Sequence, residues 1–148
     1  MQRVPSARFV TTATLAGHQL KFHKAGTDDS AKCDAHETGN DAHAVIGVVF
    51  EIAQSEKPEL DSKEDLGNGY EEKIVTLQTQ SGKIIKATTY YAIKFDAAMK
   101  PFHWYKQHVI AGAEEFELAP EYVAGIRRVE SITDPQPERH QRELAIYE

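Results

Sequence analysis

The first two thirds of the chain consist mainly of short apolar or alternating runs, separated by turn-forming residues. Runs of this length that are rich in β-branched residues predict strands. The predicted strands cover residues 8–15, 18–23, 42–52, 70–79 and 83–93. The run at 42–52 is almost wholly apolar, so we expect it to be buried on both faces. Residues 24–40 are polar with little periodicity and predict a loop, whereas Ser81 and Gly82 predict a hairpin turn.

The hydrophobic period changes after Pro101. Apolar residues then recur at helical spacing, which predicts an amphipathic helix over residues 102–116. Shorter helices are predicted over 58–66, 120–129 and 138–147, with Thr133 or Asp134 as a cap for the last of them. Because strands come first, helices last, and one hairpin is antiparallel, the pattern indicates an α+β fold. A length of 148 residues predicts a single domain over residues 1–148.

Composition narrows the classes of function. The formal net charge is −6 and no run of Lys and Arg forms a basic stripe, so nucleic acid is excluded as a partner. No segment approaches the ~18 apolar residues of a membrane helix and the first residues lack a signal-peptide pattern. We therefore expect no membrane partner and a cytoplasmic protein. Cys33 is the single cysteine, which rules out a disulfide within the chain.

An acidic stretch at residues 60–70, LDSKEDLGNGY, is the first candidate for chemistry. If Leu60 packs into the core, Glu64 lies on the same helix face and is drawn toward the apolar interior. Burial raises the pKa of a carboxyl group, which suits it to proton transfer near neutrality. Gly67 and Gly69 would let the backbone approach a ligand closely. The alternative is a solvated helix end, which composition alone favours.

Histidines and the cysteine provide weaker candidates. Cys33, His36 and His43 carry groups that bind zinc, but their spacing matches no standard zinc site and a fourth ligand is not evident. We therefore predict no metal there. His103 and His108 are five apart on the predicted helix and fall on different faces, so they are predicted to face solvent.

Several short pieces, taken in order, resemble the γ-glutamylcyclotransferase family. They are VIGVVF at 45–50, LDSKE at 60–64, GNGY at 67–70, YKQHVIAGA at 105–113 and LAPEY at 118–122. The piece at 105–113 is a loose match. The order of the pieces carries the resemblance, which covers about residues 4–130.

The resemblance implies an α+β fold built round a small mixed β-barrel, with helices packed at one side. It implies Glu64 as the catalytic residue and a small-molecule γ-glutamyl substrate. We expect Tyr70 and Tyr105 to hydrogen-bond this substrate or close its pocket, and Gly69 to let the backbone approach it. In the implied reaction the substrate's α-amine attacks its own side-chain amide, giving 5-oxoproline and an unidentified amine or amino acid. Neither a metal nor a cofactor is required. Core packing with satisfied hydroxyls explains the two tyrosines equally well.

The sequence departs from the family pattern at two places. The family opens with a strand and a Y-G-S-N loop, whose N–H groups are expected to hold the developing oxyanion. Residues 1–7 resemble the segment after that loop, so we expect the first strand to be missing. Open strand edges would then predict a homodimer, strand exchange or marginal stability. Asp65 stands where the family often has glycine, and its charge would raise the pKa of Glu64 further.

Three hypotheses follow. The first is a γ-glutamylcyclotransferase-like enzyme that uses Glu64 as acid and base. The second is a non-catalytic binding or assembly protein of the same fold, which the missing loop favours. The third and weakest is a metal-binding protein that uses Cys33, His36 and His43.

Overall fold

The computed structural model describes residues 5–63, 67 and 69–147. Strands dominate up to residue 92, and helices follow. The strands are β1 (Arg8–Ala16), β2 (His18–Ala25), β3 (Ala31–Glu37), β4 (Ala44–Glu51), β5 (Tyr70–Thr79) and β6 (Ile84–Ala92). The helices are α1 (Lys57–Lys63), α2 (His103–Glu115), α3 (Pro120–Arg127) and α4 (Pro137–Leu144). Short 3₁₀ turns precede α1 and follow α4, and the predicted α+β class is confirmed.

The strands lie in two antiparallel sheets. One has the order β4-β1-β5-β6, and the other is the pair β2-β3. The predicted hairpin joins β5 to β6, and Gly82 takes a positive φ of 88° in its turn. β1 meets β5 at only two residue pairs, Ala13 with Thr79 and Thr14 with Gln78. Within residues 5–63, 67 and 69–147 the sheets do not close, so the expected mixed barrel is not confirmed.

The loop predicted over residues 24–40 is wrong, because β3 occupies part of it. The strand was missed because one of its two buried positions, Asp34, is polar. Asp34 is 3% exposed, and its carboxylate is satisfied by His23 and by the N–H group of Ala92. A buried, hydrogen-bonded carboxylate breaks the alternation on which strand prediction depends.

The apolar run that forms β4 is not buried on both faces, as its composition predicted. β4 is the outer strand of the four-stranded sheet, and its residues from Val45 to Phe50 are half-buried. It pairs with β1 on one side. Apolar composition alone does not distinguish a central strand from an edge strand.

The core lies where the β2–β3 pair meets helices α2 and α3. Its buried residues are Phe22, Ala31, Ile110, Ala113, Val123 and Ile126. The three helices predicted after Pro101 are confirmed to within a few residues. No helix in the part of the chain that the structure describes is long and apolar enough to cross a membrane.

Candidate functional site

A cavity of about 940 Å³ opens between β3, the β5–β6 hairpin and helices α2 and α4. It brings together residues far apart in sequence, including Tyr70 and Tyr105, two of the residues predicted beside the substrate. Its lining residues are Leu20, Lys24, Lys32, Cys33, Asp34, Ala35, Lys63, Tyr70, Thr89, Tyr90, Trp104, Tyr105, His108, Ala111, Gly112, Glu143, Ile146 and Tyr147.

Tyr70 and Tyr105 meet at one residue of β3. The hydroxyl of Tyr70 donates to the carbonyl oxygen of Cys33 at 2.6 Å, and the N–H group of Cys33 donates to the hydroxyl of Tyr105 at 2.9 Å. β3 pairs with β2 along its opposite edge. The two hydroxyls therefore satisfy backbone groups that a neighbouring strand would otherwise have to pair.

Burial alters the chemistry of these groups. It raises the pKa of Tyr105 well above 10 and raises the pKa of the Cys33 thiol to about 12. Cys33 is therefore a protonated thiol at neutral pH. A thiol in that state is a poor nucleophile and a poor metal ligand, because both roles require the thiolate.

Three lysines line the cavity, and two of them, Lys24 and Lys32, lie against aromatic rings of its wall. Lys32 lies over the rings of Trp104 and Tyr105, and its ammonium group is 3.5 Å from the Asp28 carboxylate. Lys24 is only 7% exposed, and its ammonium group lies 5.0 Å from the centre of the Tyr70 ring. The ammonium group of Lys24 makes no ion pair or hydrogen bond with any side chain that the structure describes. A buried cation without a carboxylate partner favours binding of an anion.

Helix α1 is attached to the sheet by polar contacts rather than by apolar packing. Lys57 pairs with Asp61, and also with Glu72 of β5 at 2.6 Å. The Tyr90 hydroxyl of β6 donates to the same Asp61 carboxylate at 2.6 Å. Leu60, predicted to pack into the core, is half-buried, and no residue of α1 is buried. Asp61 is therefore a positioning residue for α1.

Glu64, the predicted catalytic residue, and Asp65 lie outside the described residues. The described residues on either side of this segment are Lys63 and Gly67, and Lys63 lines the cavity. Gly67 has a positive φ of 87°. Gly69 is buried, and its carbonyl oxygen accepts from the N–H group of Ile93 at 3.0 Å.

His108 was predicted to face solvent, and this prediction is wrong. It lines the cavity, its Nδ1 is hydrogen-bonded to the Tyr147 hydroxyl, and its Nε2 lies 3.5 Å from the Glu143 carboxylate. Helix α4 and the turn after it cover His108. These segments are more than thirty positions from His108 in sequence, so helical spacing does not reveal the contact. His103 is exposed, as predicted.

The structure separates the three residues of the weak metal hypothesis. His43 is hydrogen-bonded to the Thr38 hydroxyl at 2.9 Å. His36 instead lies beside His23 and Asp34, and these three are the group of potential ligands found among residues 5–63, 67 and 69–147. No sequence spacing pointed to His23, because it belongs to a different strand.

Known proteins resemble this chain in sequence and in fold. Residues 44–126 match the AIG2-like family. An uncharacterized protein from Homo sapiens has a similar solved structure, with a TM-score of 0.79 and 27% identity over 87% of this chain and 78% of that chain. No curated protein matches the chain significantly.

Two further solved structures resemble the chain at under 25% identity, a level that shows the fold alone. One is a gamma-glutamyl cyclotransferase, with a TM-score of 0.80 and 24% identity over 95% of this chain and 88% of that chain. The other is YkqA from Bacillus subtilis, with a TM-score of 0.69 and 23% identity over 83% of this chain and 46% of that chain.

The match to the family runs from the start of β4 into α3. It includes α1, the hairpin that carries Tyr70 and the helix that carries Tyr105. Since it covers more than half of the 148 residues, the chain belongs to the AIG2-like family.

Proposed function

We propose that the chain cyclises a γ-glutamyl group to 5-oxoproline and releases an amine or amino acid, with Glu64 as the proton-transfer residue. One observation carries the proposal: Lys63 and Tyr70, which flank the acidic segment in sequence, both line the cavity of about 940 Å³. A cavity of this size accommodates a small-molecule substrate. The family match and the fold shared with a gamma-glutamyl cyclotransferase support the same reaction class.

The proposed reaction needs one acid–base group. The α-ammonium group of the substrate first loses a proton to Glu64, and the free amine then attacks the γ-carbonyl carbon. A C–N bond forms and closes the five-membered ring. The bond from that carbon to the leaving nitrogen then breaks as Glu64 returns the proton to this nitrogen. The ring nitrogen passes its second proton to the released amine, which leaves as an ammonium ion. Because nucleophile and carbonyl belong to one molecule, the cavity has only to hold the folded conformer.

Lys24 is proposed to bind the α-carboxylate of the γ-glutamyl group. It is the buried cation of the cavity wall that lacks a carboxylate partner among the described side chains. A carboxylate on the substrate would supply that partner, and charge-assisted hydrogen bonds are the stronger kind. Gly69, Tyr70 and Tyr105 are proposed to shape the pocket around the same group.

The experiment compares the chain with its Glu64→Gln variant on a panel of γ-glutamyl amino acids and amines, measuring 5-oxoproline. Glutamine keeps the shape of the side chain and removes the proton-transfer group. We expect the rate to fall by about 10²–10⁴-fold, the contribution typical of a general acid–base residue. Circular dichroism checks that the variant is folded.

Glu115→Gln is the matched control. Glu115 is exposed at the end of α2 and does not line the cavity, so the same change of charge there should leave the rate unchanged. Equal rates for the parent and Glu64→Gln would remove Glu64 as the base. Absence of 5-oxoproline with every substrate would favour the rival, a non-catalytic binding or assembly protein of this fold.

A further inference from the structure

A bulge in the β2–β3 pair brings three side chains together. Phe22 opposes Cys33 and Lys24 opposes Lys32, which leaves His23 as the extra residue of β2. Bulges of this kind redirect a side chain and are frequent at functional sites. On β3, Asp34 and His36 are two residues apart and therefore share a face. His23 joins them from the neighbouring strand.

The potential ligand atoms converge on one carboxylate oxygen. Nε2 of His23 lies 2.7 Å from Oδ2 of Asp34, and Nδ1 of His36 lies 3.7 Å from the same oxygen. One ligand atom from each of the three residues lies within 4.8 Å of the others. Two ligands of a tetrahedral zinc ion, each about 2.0 Å from the metal, are about 3.3 Å apart. The two nitrogen-to-oxygen distances to Oδ2 of Asp34, 2.7 Å and 3.7 Å, lie on either side of that value.

The surroundings hold the three groups in place. The other carboxylate oxygen of Asp34 accepts from the N–H group of Ala92 at 2.8 Å, which fixes the carboxylate with Oδ2 facing His23 and His36. Phe95 stacks on the His23 ring, with centres 4.7 Å apart, and lies edge-on to the His36 ring. Outer hydrogen bonds such as the one from Ala92 orient the ligands of metal sites.

We propose that His23, Asp34 and His36 form a site for a divalent transition-metal ion, zinc first among them. Two imidazoles and a carboxylate are ligands that zinc accepts, and three protein ligands leave a position for water. The side chain of His36 is 37% exposed, whereas those of His23 and Asp34 are 10% and 1% exposed, so the site opens to solvent on one side. The His23–Asp34 hydrogen bond alone would not require His36 beside them.

The proposed zinc site borders the cavity through Asp34 but does not depend on the proposed cyclisation chemistry. All three residues precede residue 44 and therefore lie outside the segment that matches the family. Asp34 also lines the cavity, so a bound ion would add positive charge to the cavity wall. Zinc binding is tested without any substrate, so its outcome is independent of whether the chain cyclises γ-glutamyl groups.

The test uses the untagged full chain, treated with chelator and dialysed against Zn²⁺, with bound zinc measured by mass spectrometry. We expect one zinc ion per chain and a rise in melting temperature on adding Zn²⁺, because the ion binds the folded state. His36→Gln removes a direct ligand of the proposed site. It should therefore lower the zinc affinity by more than about tenfold, which is the smallest loss seen when only an outer contact is removed. Co²⁺ should give visible d–d absorption with the parent and lose it with His36→Gln.

Two further variants keep the test decisive. His23→Gln should also lose zinc. Because His23 is buried, this substitution can prevent folding. In that case His36→Gln, at the more exposed position, carries the argument. His43→Gln is the matched control, because His43 lies outside the group, and it should bind zinc like the parent. A parent chain that binds no zinc, or zinc binding that survives His36→Gln unchanged, would overturn the proposal.

Discussion

At the scale of single residues, the outer edge of β3 depends on two hydroxyl groups. The Tyr105 hydroxyl accepts from the Cys33 N–H group at 2.9 Å in a part-buried setting. Tyr105→Phe leaves that N–H group without a partner, and we expect it to lower the free energy of unfolding by about 1–3 kcal/mol. Urea unfolding followed by circular dichroism measures the change.

Tyr91→Phe is the control for this effect. The Tyr91 hydroxyl makes no hydrogen bond with the residues that the structure describes, so its removal should change stability by less than about 0.5 kcal/mol. If both variants unfold at the same urea concentration as the parent, the Tyr105 hydroxyl does not support the strand edge.

Lys24 gives a prediction about substrate binding, which rests on the proposed cyclisation. Lys24→Met keeps much of the length and apolar body of the side chain and removes its charge. Loss of a charge-assisted contact worth about 1.5–3 kcal/mol should raise KM by about 10- to 150-fold. The α-carboxylate takes no part in bond making, so kcat should change less than KM. Steady-state kinetics with a γ-glutamyl substrate separate the two constants.

Lys21→Met provides a matched comparison on the same strand. Lys21 is exposed and does not line the cavity, so the KM of Lys21→Met should equal that of the parent. A rise in KM of the same size in both variants would indicate a general effect of charge. A normal KM for Lys24→Met would show that the carboxylate binds elsewhere.

At the scale of elements, the sequence predicted the strands and helices in which apolar and polar residues repeat at the spacing of that element. The β5–β6 hairpin and helices α2 and α3 were predicted because their turn signals and apolar positions are regular. β3 was not predicted, because Asp34 is buried where alternation requires an apolar residue. β4 was predicted as a strand but not as an edge, because position in a sheet is set by pairing with distant strands.

Helix α1 illustrates an element held by charge. The hydrogen bonds from Lys57 and Tyr90 keep the pKa of Asp61 below its usual 3.8 in the folded chain. A carboxyl group whose folded pKa is lowered stabilises the fold above its unfolded pKa, and this contribution is lost as the pH falls through the folded value. Asp61→Asn should therefore be less stable than the parent at neutral pH, and the difference should shrink below about pH 4.

Urea unfolding of both proteins at a series of pH values tests this dependence. Asp41→Asn is the control, because Asp41 is exposed, so the stability of this variant should stay close to that of the parent. A difference between Asp61→Asn and the parent that stays constant from neutral pH to pH 3 would contradict the assigned role of the carboxylate.

At the scale of the whole molecule, the cavity could not be predicted from sequence. Its walls come from β3, the β5–β6 hairpin, α2 and the end of the chain, so it exists only once these segments pack. Sequence patterns singled out Tyr70 and Tyr105, which the cavity brings together. They did not single out Lys24, whose burial is a tertiary property, or His108, which α4 covers.

Helix α4 closes one side of this cavity, and Asp134 attaches it. The Asp134 carboxylate is buried and accepts from the Trp104 indole at 2.9 Å, from the Gln136 N–H group at 2.8 Å and from Arg139. The Arg139 guanidinium also lies over the rings of Phe102 and Trp104. The hydrogen bond from Arg139 holds the pKa of Asp134 well below its usual range, so this carboxylate is charged at all ordinary pH values.

Asp134→Asn should therefore release α4 without unfolding the rest of the chain. The variant removes the charge that Arg139 binds, so the helix should open more often and trypsin should cleave after Arg139 or Arg142 about tenfold faster. Mass spectrometry of a short digestion identifies the cut sites, and Asp41→Asn should be cleaved like the parent. Faster cleavage throughout the chain would indicate global destabilisation, whereas equal rates in α4 would contradict the role of Asp134. Cleavage confined to α4 would mean that this helix is a separately attached wall of the cavity.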